Sequence, residues 1–266
     1  MKLQIFISSI NRQPEYIASS TKKYSNLVVI NQVPEKHDGK VTREFLDGIE
    51  WINIDQKGLS KSRNYALDNA QGDILYLTDD DIVLEEETEE IILESFLANP
   101  GYDILAFNIE GIEEEFKKEV TEEKEIGFLR SMKLSSVQLV IKSSFIKENE
   151  LRFDELFGAG AKYTMGEENI FLFDALKKGA KIKFIPKTIA KLHIGDSTWF
   201  EGMNEKYLFD KGASFWRMFG RLAPFYSLTY CFRKKAEYKE NLGFFEAYLQ
   251  TLKGMRNYLK ESRAFK

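Results

Sequence analysis

The sequence predicts an α/β fold, a mostly parallel sheet flanked by helices, with a C-terminal helical extension. Three observations predict it. Short β-rich runs alternate with helix-like stretches through the first half of the chain. Several runs, such as ILYLT at Ile74–Thr78, are continuously apolar, which suits strands buried on both faces. From Gly195 onward the pattern changes to aromatic and basic residues with a helical look, broken near Pro224.

In chain order, the expected strands are Leu3–Ser8, Leu27–Ile30, Trp51–Ile54, Ile74–Thr78 and Ile104–Phe107. Between them, Pro14–Tyr24, Ser60–Ala70 and Glu86–Ala98 are expected to form helices, with Ser60 a candidate N-cap. The charged stretch Glu110–Glu125 reads as a solvated excursion or, alternatively, an acidic binding segment. A second half-domain follows, with strands at Ser136–Ile141, Lys181–Ile185 and Thr188–His193 and a helix at Glu167–Lys178. The expected division is residues 1–195 and 196–266.

Composition excludes several classes. With 43% hydrophobic and 30% charged residues the chain can build a core, and its net charge of −4 offers no overall attraction to nucleic acid. Cys231 is the only cysteine, so neither an internal disulfide nor a cysteine zinc cluster can form. The opening MKLQIFISSINRQ is too short in apolar residues for a secretory core, and no run approaches the ~20 residues of a spanning helix. A cytoplasmic location is expected, unless the chain docks at the inner face of the cell membrane.

The segment from Gly72 to Asp81 is the most informative. A strand runs directly into Asp79, Asp80 and Asp81, at the end where open α/β sheets gather ligands. Adjacent carboxylates repel one another, and a hard divalent cation sharing its shell with phosphates relieves that repulsion. Strand alternation sends Asp79 and Asp81 to one side and Asp80 to the other. The competing reading is a solvated acidic loop capping the next helix. Upstream, GLSKSRNYALDNA places Arg63 on one stripe with Ala66 and Ala70. A guanidinium there either meets an anion or snorkels to the surface.

GLSKSRNYAL followed by GDILYLTDDDI resembles the donor half of the inverting family-two glycosyltransferases, which have the GT-A fold. The segment Phe153–Pro186 resembles the acceptor-side block of that family, with Gly166-Glu167-Glu168 where Gly-Glu-Asp is usual. The resemblance covers about Met1 to Thr198. It implies that residues 1–195 are a catalytic domain that moves a sugar from a nucleotide-diphosphate sugar, with a UDP-sugar the expected donor, to a saccharide or lipid-linked acceptor with inversion. It implies Mn²⁺ or Mg²⁺ as cofactor, held by Asp79, Asp81 and His193, and a setting in surface polysaccharide synthesis. It also implies donor contacts from Ser8, Asn31, Arg63, Asp79 and Asp80. Glu168 is the implied general base. On a helical wheel it falls on the stripe of Leu172, Ala175 and Leu176, while Glu167 lies off it; the alternative is simple charge complementarity at a helix start.

The chain departs from the family at Asn31-Gln32-Val33, where an acidic pair is usual, and at Ser8-Ser9-Ile10-Asn11. Of the two histidines, His37 reads as exposed, and His193 reads as a metal ligand or a structural residue, with Asp196 the other ligand candidate. The basic, aromatic segment Ala213–Phe232 fits a peripheral membrane contact, a helix packed over the catalytic domain, or a homodimer contact. Two rival functions stand beside the transferase. A nucleotidyltransferase is disfavoured because SSINRQPEY lacks a glycine after the first strand. The other rival is a non-catalytic binding relative.

Overall fold

The computed structural model describes residues 1–13, 24, 26–34, 40–46, 48–194 and 202–264. His37, Asp196 and all of the expected helix 14–24 except Tyr24 lie outside them. The strands are β1 (Leu3–Ile10), β2 (Leu27–Gln32), β3 (Thr42–Leu46), β4 (Ile49–Ile54), β5 (Ile74–Asp79), β6 (Ile82–Leu84), β7 (Ile104–Gly111), β8 (Lys124–Glu125), β9 (Leu139–Lys142) and β10 (Ile182–Leu192). They form one sheet in the order β3-β4-β2-β1-β5-β9-β7-β10-β6, with β8 on β10. Strands β4, β2, β1 and β5 run parallel, and β7 and β10 run in the same direction beyond the reversed β9.

Two cores, one on each face, hold the sheet. Phe6, Val28, Ile30, Ile52, Leu75 and Leu77 enter one, while their neighbours Ile5, Ile7, Val29, Trp51 and Tyr76 enter the other. Successive side chains point to opposite faces, so a strand between two cores must be apolar at nearly every position. The edge strand β3, TREFL, is mostly exposed and polar, which hides it from a search for apolar runs. It makes the aspartate-bearing strand fifth in the chain. The two strands expected at 181–193 are one, β10, with register shifts between Phe184 and Ala190, around Pro186.

Helix α1 (Leu59–Asp68) follows β4 and begins at the carboxyl end of the sheet. Its N-cap is Gly58 at φ 128°, whose N–H donates to Gln32 Oε1 at 2.7 Å. Ser60 instead donates to the Phe157 carbonyl at 2.6 Å. Helix α2 (Thr88–Ala98) starts well beyond Asp81, so the aspartates do not cap it. Helix α3 (Glu167–Lys177) starts from Gly166 at φ 93°, where an added Cβ would lie 2.9 Å from Ser214 Cβ.

The extension comprises α4 (Glu205–Phe219), α5 (Ala223–Arg233, with Pro224 in its first turn) and α6 (Phe244–Ala264). It shares a core with the preceding block: Phe157, Tyr163, Ile170 and Phe173 pack with Phe215, Met218, Met255 and Tyr258. Arg217 of α4 donates to Asp154 at 2.8 Å and to Asp174 of α3. Helices α4 and α6 meet at glycines. A Cβ on Gly254 would fall 1.8 Å from the Phe209 carbonyl oxygen, and one on Gly212 would fall 1.9 Å from that of Thr251. Gly254→Ala must push two backbones apart, so a loss of roughly 1–3 kcal/mol is expected in urea unfolding. An unchanged midpoint would show that the helices yield freely.

Candidate functional site

A cleft of about 470 Å³ opens at the carboxyl ends of the parallel strands. Register alone places Ser8 of β1 beside Asp79 of β5, and Ser9 beside Asn31 of β2. The cleft is lined by Ser8, Arg63, Asp79, Asp80, Asp81, Glu168 and His193, so residues separated by up to 185 positions in sequence share one wall. Asn31 is not among the lining residues. Its amide is used internally: Oδ1 accepts from Ser9 and the Arg12 N–H, and Nδ2 donates to Asn53 at 2.9 Å and to the Arg12 carbonyl. It therefore shapes the loop carrying Arg12 and has little left to read a nucleobase.

The alternation expected for the three aspartates ends at Asp79, because Asp80 and Asp81 form a turn before β6. All three face the cleft, and each has a different environment. Asp79 accepts from Arg63 through both oxygens, at 3.1 and 3.2 Å. Asp80 accepts from Arg12 Nε at 2.8 Å, yet burial still pushes its pKa up, Arg12 opposing. Asp81 has a buried Oδ1 without a hydrogen-bond partner among the described residues. Burial, then the charges of Asp79 and Asp80, push Asp81 up to about 7.

Arg63 answers the question left open by the helical pattern. It is 1% exposed and joins the two halves of the site. Nη1 donates to Glu167 at 3.1 Å and Nη2 to Asp79 and to Ser136, the last at 2.7 Å. Burial opposes its charge, but Asp79, Glu167 and Glu168 more than offset that, so its pKa is raised. The helical wheel had the acidic pair reversed. Glu167 is the buried one, at 7% exposure, and Glu168 is half-buried and faces the cleft. Burial and the neighbouring Glu168 push Glu167 up, against the pull of Arg63.

The segment 110–125 does more than meet solvent. Its Glu113 accepts from His193 Nδ1 at 2.8 Å, its Phe116 lines the cleft, and Lys117 Nζ donates to Ser135, Gln138 and the Lys133 carbonyl. Burial lowers Lys117 to about 8, with the charge of Glu168 opposing. The N–H of His193 donates to the Asp81 carbonyl at 3.0 Å, which follows from the pairing of β6 with β10. Sequence reasoning missed Arg12, Glu113, Phe116, Lys117 and Ser136; all but Ser136 sit on loops whose local pattern carries no signal.

Among the described residues, no group of three or more His, Cys, Asp or Glu is placed to hold a metal ion by itself. The orphaned oxygen of Asp81 fits a hard cation nonetheless, since Mg²⁺ and Mn²⁺ take oxygen ligands and complete their shells with water and phosphate. Asp81→Asn tests the electrostatic cost of leaving that oxygen ionised. A carboxylate raised from ~3.9 to about 7 binds its proton more tightly in the folded state. Its charge therefore destabilises the fold as pH rises from ~4 through ~7. In metal-free buffer at pH 8, Asp81→Asn is expected to be more stable by roughly 1–3 kcal/mol, the gain vanishing near pH 4. Parallel urea melts across that range check it; a gain independent of pH would refute the assignment.

The profile of the family described as "Glycosyl transferase family 2" matches residues 2–171. Among solved structures, S. aureus TarS 1–349 in complex with UDP-GlcNAc is similar at 15% identity and a TM-score of 0.68, covering 98% of this chain and 81% of that one. The same TarS fragment without that ligand matches at 12% identity and TM-score 0.63, covering 100% of this chain and 92% of that one. Its complex with UDP matches at 14% identity and TM-score 0.62, with the same coverage. At such identities the likeness is one of fold, and it extends over the C-terminal helices. No curated protein matches the sequence.

Proposed function

This chain belongs to glycosyl transferase family 2 and has the GT-A fold, and on that premise we propose that it transfers a sugar from a UDP-sugar to an acceptor hydroxyl with inversion. The observation that carries this is the cleft where the orphaned oxygen of Asp81, at the tip of β5, shares a wall with Glu168 at the start of α3. A sugar diphosphate is the ligand that needs both: a negatively charged leaving group at one end and a proton acceptor at the other. The UDP-GlcNAc bound by the similar TarS structure supports a UDP-sugar as donor.

The residues divide the work as follows. Asp81, with His193 and the lone pairs of Asp79 not taken by Arg63, would hold Mn²⁺ or Mg²⁺. When bound, the cation offsets charge growing on the departing diphosphate. The N-terminus of α1 turns its positive dipole end to the same mouth, while the N–H groups of Gly58 and Leu59 are held by Gln32 and the Ala159 carbonyl. Ser8 lines the donor side, with its hydroxyl oriented by Ser62 at 2.9 Å. Arg63 fixes Asp79 and Glu167 against each other, so the donor wall and the acceptor wall keep one spacing. Glu167 is committed to that bridge, which leaves Glu168 to take the proton from the acceptor hydroxyl as it attacks the anomeric carbon opposite the diphosphate. The acceptor is a saccharide or a lipid-linked sugar of surface polysaccharide synthesis on the cytoplasmic side. No helix of the described residues is long and apolar enough to cross a membrane.

Incubation with a panel of nucleotide sugars, with and without Mn²⁺, tests the reading. Slow release of UDP from one UDP-sugar, faster with Mn²⁺, is expected, together with a thermal shift by the same compound. Neither release nor a shift with any nucleotide sugar would end it.

A further inference from the structure

Helix α5 is amphipathic in an inverted sense. Its small residues Ala223, Ser227 and Cys231, four apart, are fully buried against the molecule, each 0% exposed. Its large apolar residues turn outward: Leu222, just before the helix, is 62% exposed, Phe225 64%, Leu228 40% and Phe232 73%. At ~100° per residue these four fall within about a third of the helix circumference, forming one continuous stripe. An outward stripe of this size is unusual on a protein that meets only water.

The charge around the stripe is as one-sided as the stripe itself. Residues 221–239 contain five basic residues (Arg221, Arg233, Lys234, Lys235 and Lys239) and one acid, Glu237, a net +4 in a chain whose total is −4. Glu237 is taken by Lys234. Among the described residues, Arg221, Arg233 and Lys235 have no ion pair and are exposed.

We propose that this face of α5 docks on an anionic lipid surface. The helix lies in the plane of the headgroups, with Phe225 and Phe232 at the acyl boundary and the basic residues among the phosphates. A second copy of the chain is a poorer occupant, because self-association through this face would press two +4 surfaces together. The docking goes beyond the transferase reading and is tested without any catalytic step.

Sedimentation of the full chain with vesicles is the experiment. Vesicles of equal parts anionic and zwitterionic lipid are expected to bind it at low salt at least about tenfold more tightly than purely zwitterionic ones, with the difference shrinking as salt is raised. The double variant Phe225→Ser/Phe232→Ser, whose side chains are exposed and whose melting should be unchanged, is expected to lose that binding about tenfold or more. Equal binding to both vesicle types, no binding at low salt, or full binding by the double variant would each overturn the proposal. So would a dimer in solution that the serine variant dissolves while vesicles capture neither protein, since the face would then join two copies.

Discussion

Glu168→Gln is expected to cut sugar transfer by roughly 10²–10⁴-fold while leaving binding of the UDP-sugar intact. Glutamine keeps the shape of the side chain and one acceptor oxygen but cannot take up the acceptor's proton. The parallel variant Glu167→Gln separates the two neighbours. Glu167 is buried and bonded to Arg63, so its loss should appear in the stability of the protein and in the spacing of the cleft. Among the described residues Glu168 has no such structural partner, and it lines the cleft beside Glu167. Transfer measured at saturating donor, with donor affinity measured separately by calorimetry, distinguishes the cases. If Glu168→Gln turns over like the wild type, the base lies elsewhere.

Arg63→Met is expected to cost about 3–5 kcal/mol, the range for removing one partner from a buried ion pair. The methionine fills much of the volume, so the loss reflects two carboxylates, Asp79 and Glu167, left near each other without the cation between them. A chain of this size should then melt about 2–4 °C lower for each kcal/mol lost. Arg63→Lys keeps a charge but cannot fork to Asp79, Glu167 and Ser136 together, and should fall between. Adding Glu167→Gln to Arg63→Met should recover part of the loss, because the two residues share one network. A change within ~0.5 kcal/mol, as at an ordinary surface site, would mean that the bridge does not hold the cleft.

Arg63→Met and Glu167→Gln act on a contact that links the two family-like blocks of the sequence, and this bears on what the sequence could convey. The apolar strands, the aspartates at the end of β5 and the acidic start of α3 were legible because each is a local pattern, whereas the pattern left Arg63 open between an anion and the surface. The helical wheel failed at Glu167 and Glu168 for a definite reason. A wheel sorts side chains by affinity for an apolar face, but Glu167 is buried by a cation 104 residues away. Alternation failed at Asp80 and Asp81 because the chain turns there to enter the short β6, whose pairing with β10 also brings His193 beside Asp81. The edge strand β3 was invisible because an exposed edge does not need apolar residues.

By itself, the sequence determined the buried strands of the sheet and which acids lie near its carboxyl edge, since burial on both faces of a strand dictates residue type position by position. Only the tertiary structure decided how those acids are partnered: Asp79 by Arg63, Asp80 by Arg12, and Asp81 with one buried oxygen left without a hydrogen-bond partner among the described residues. It likewise turned the large residues of α5 outward and the small ones in. The reason is physical. A charge in a cleft is governed by whatever lies within a few ångströms, and folding sets that distance without regard to separation along the chain.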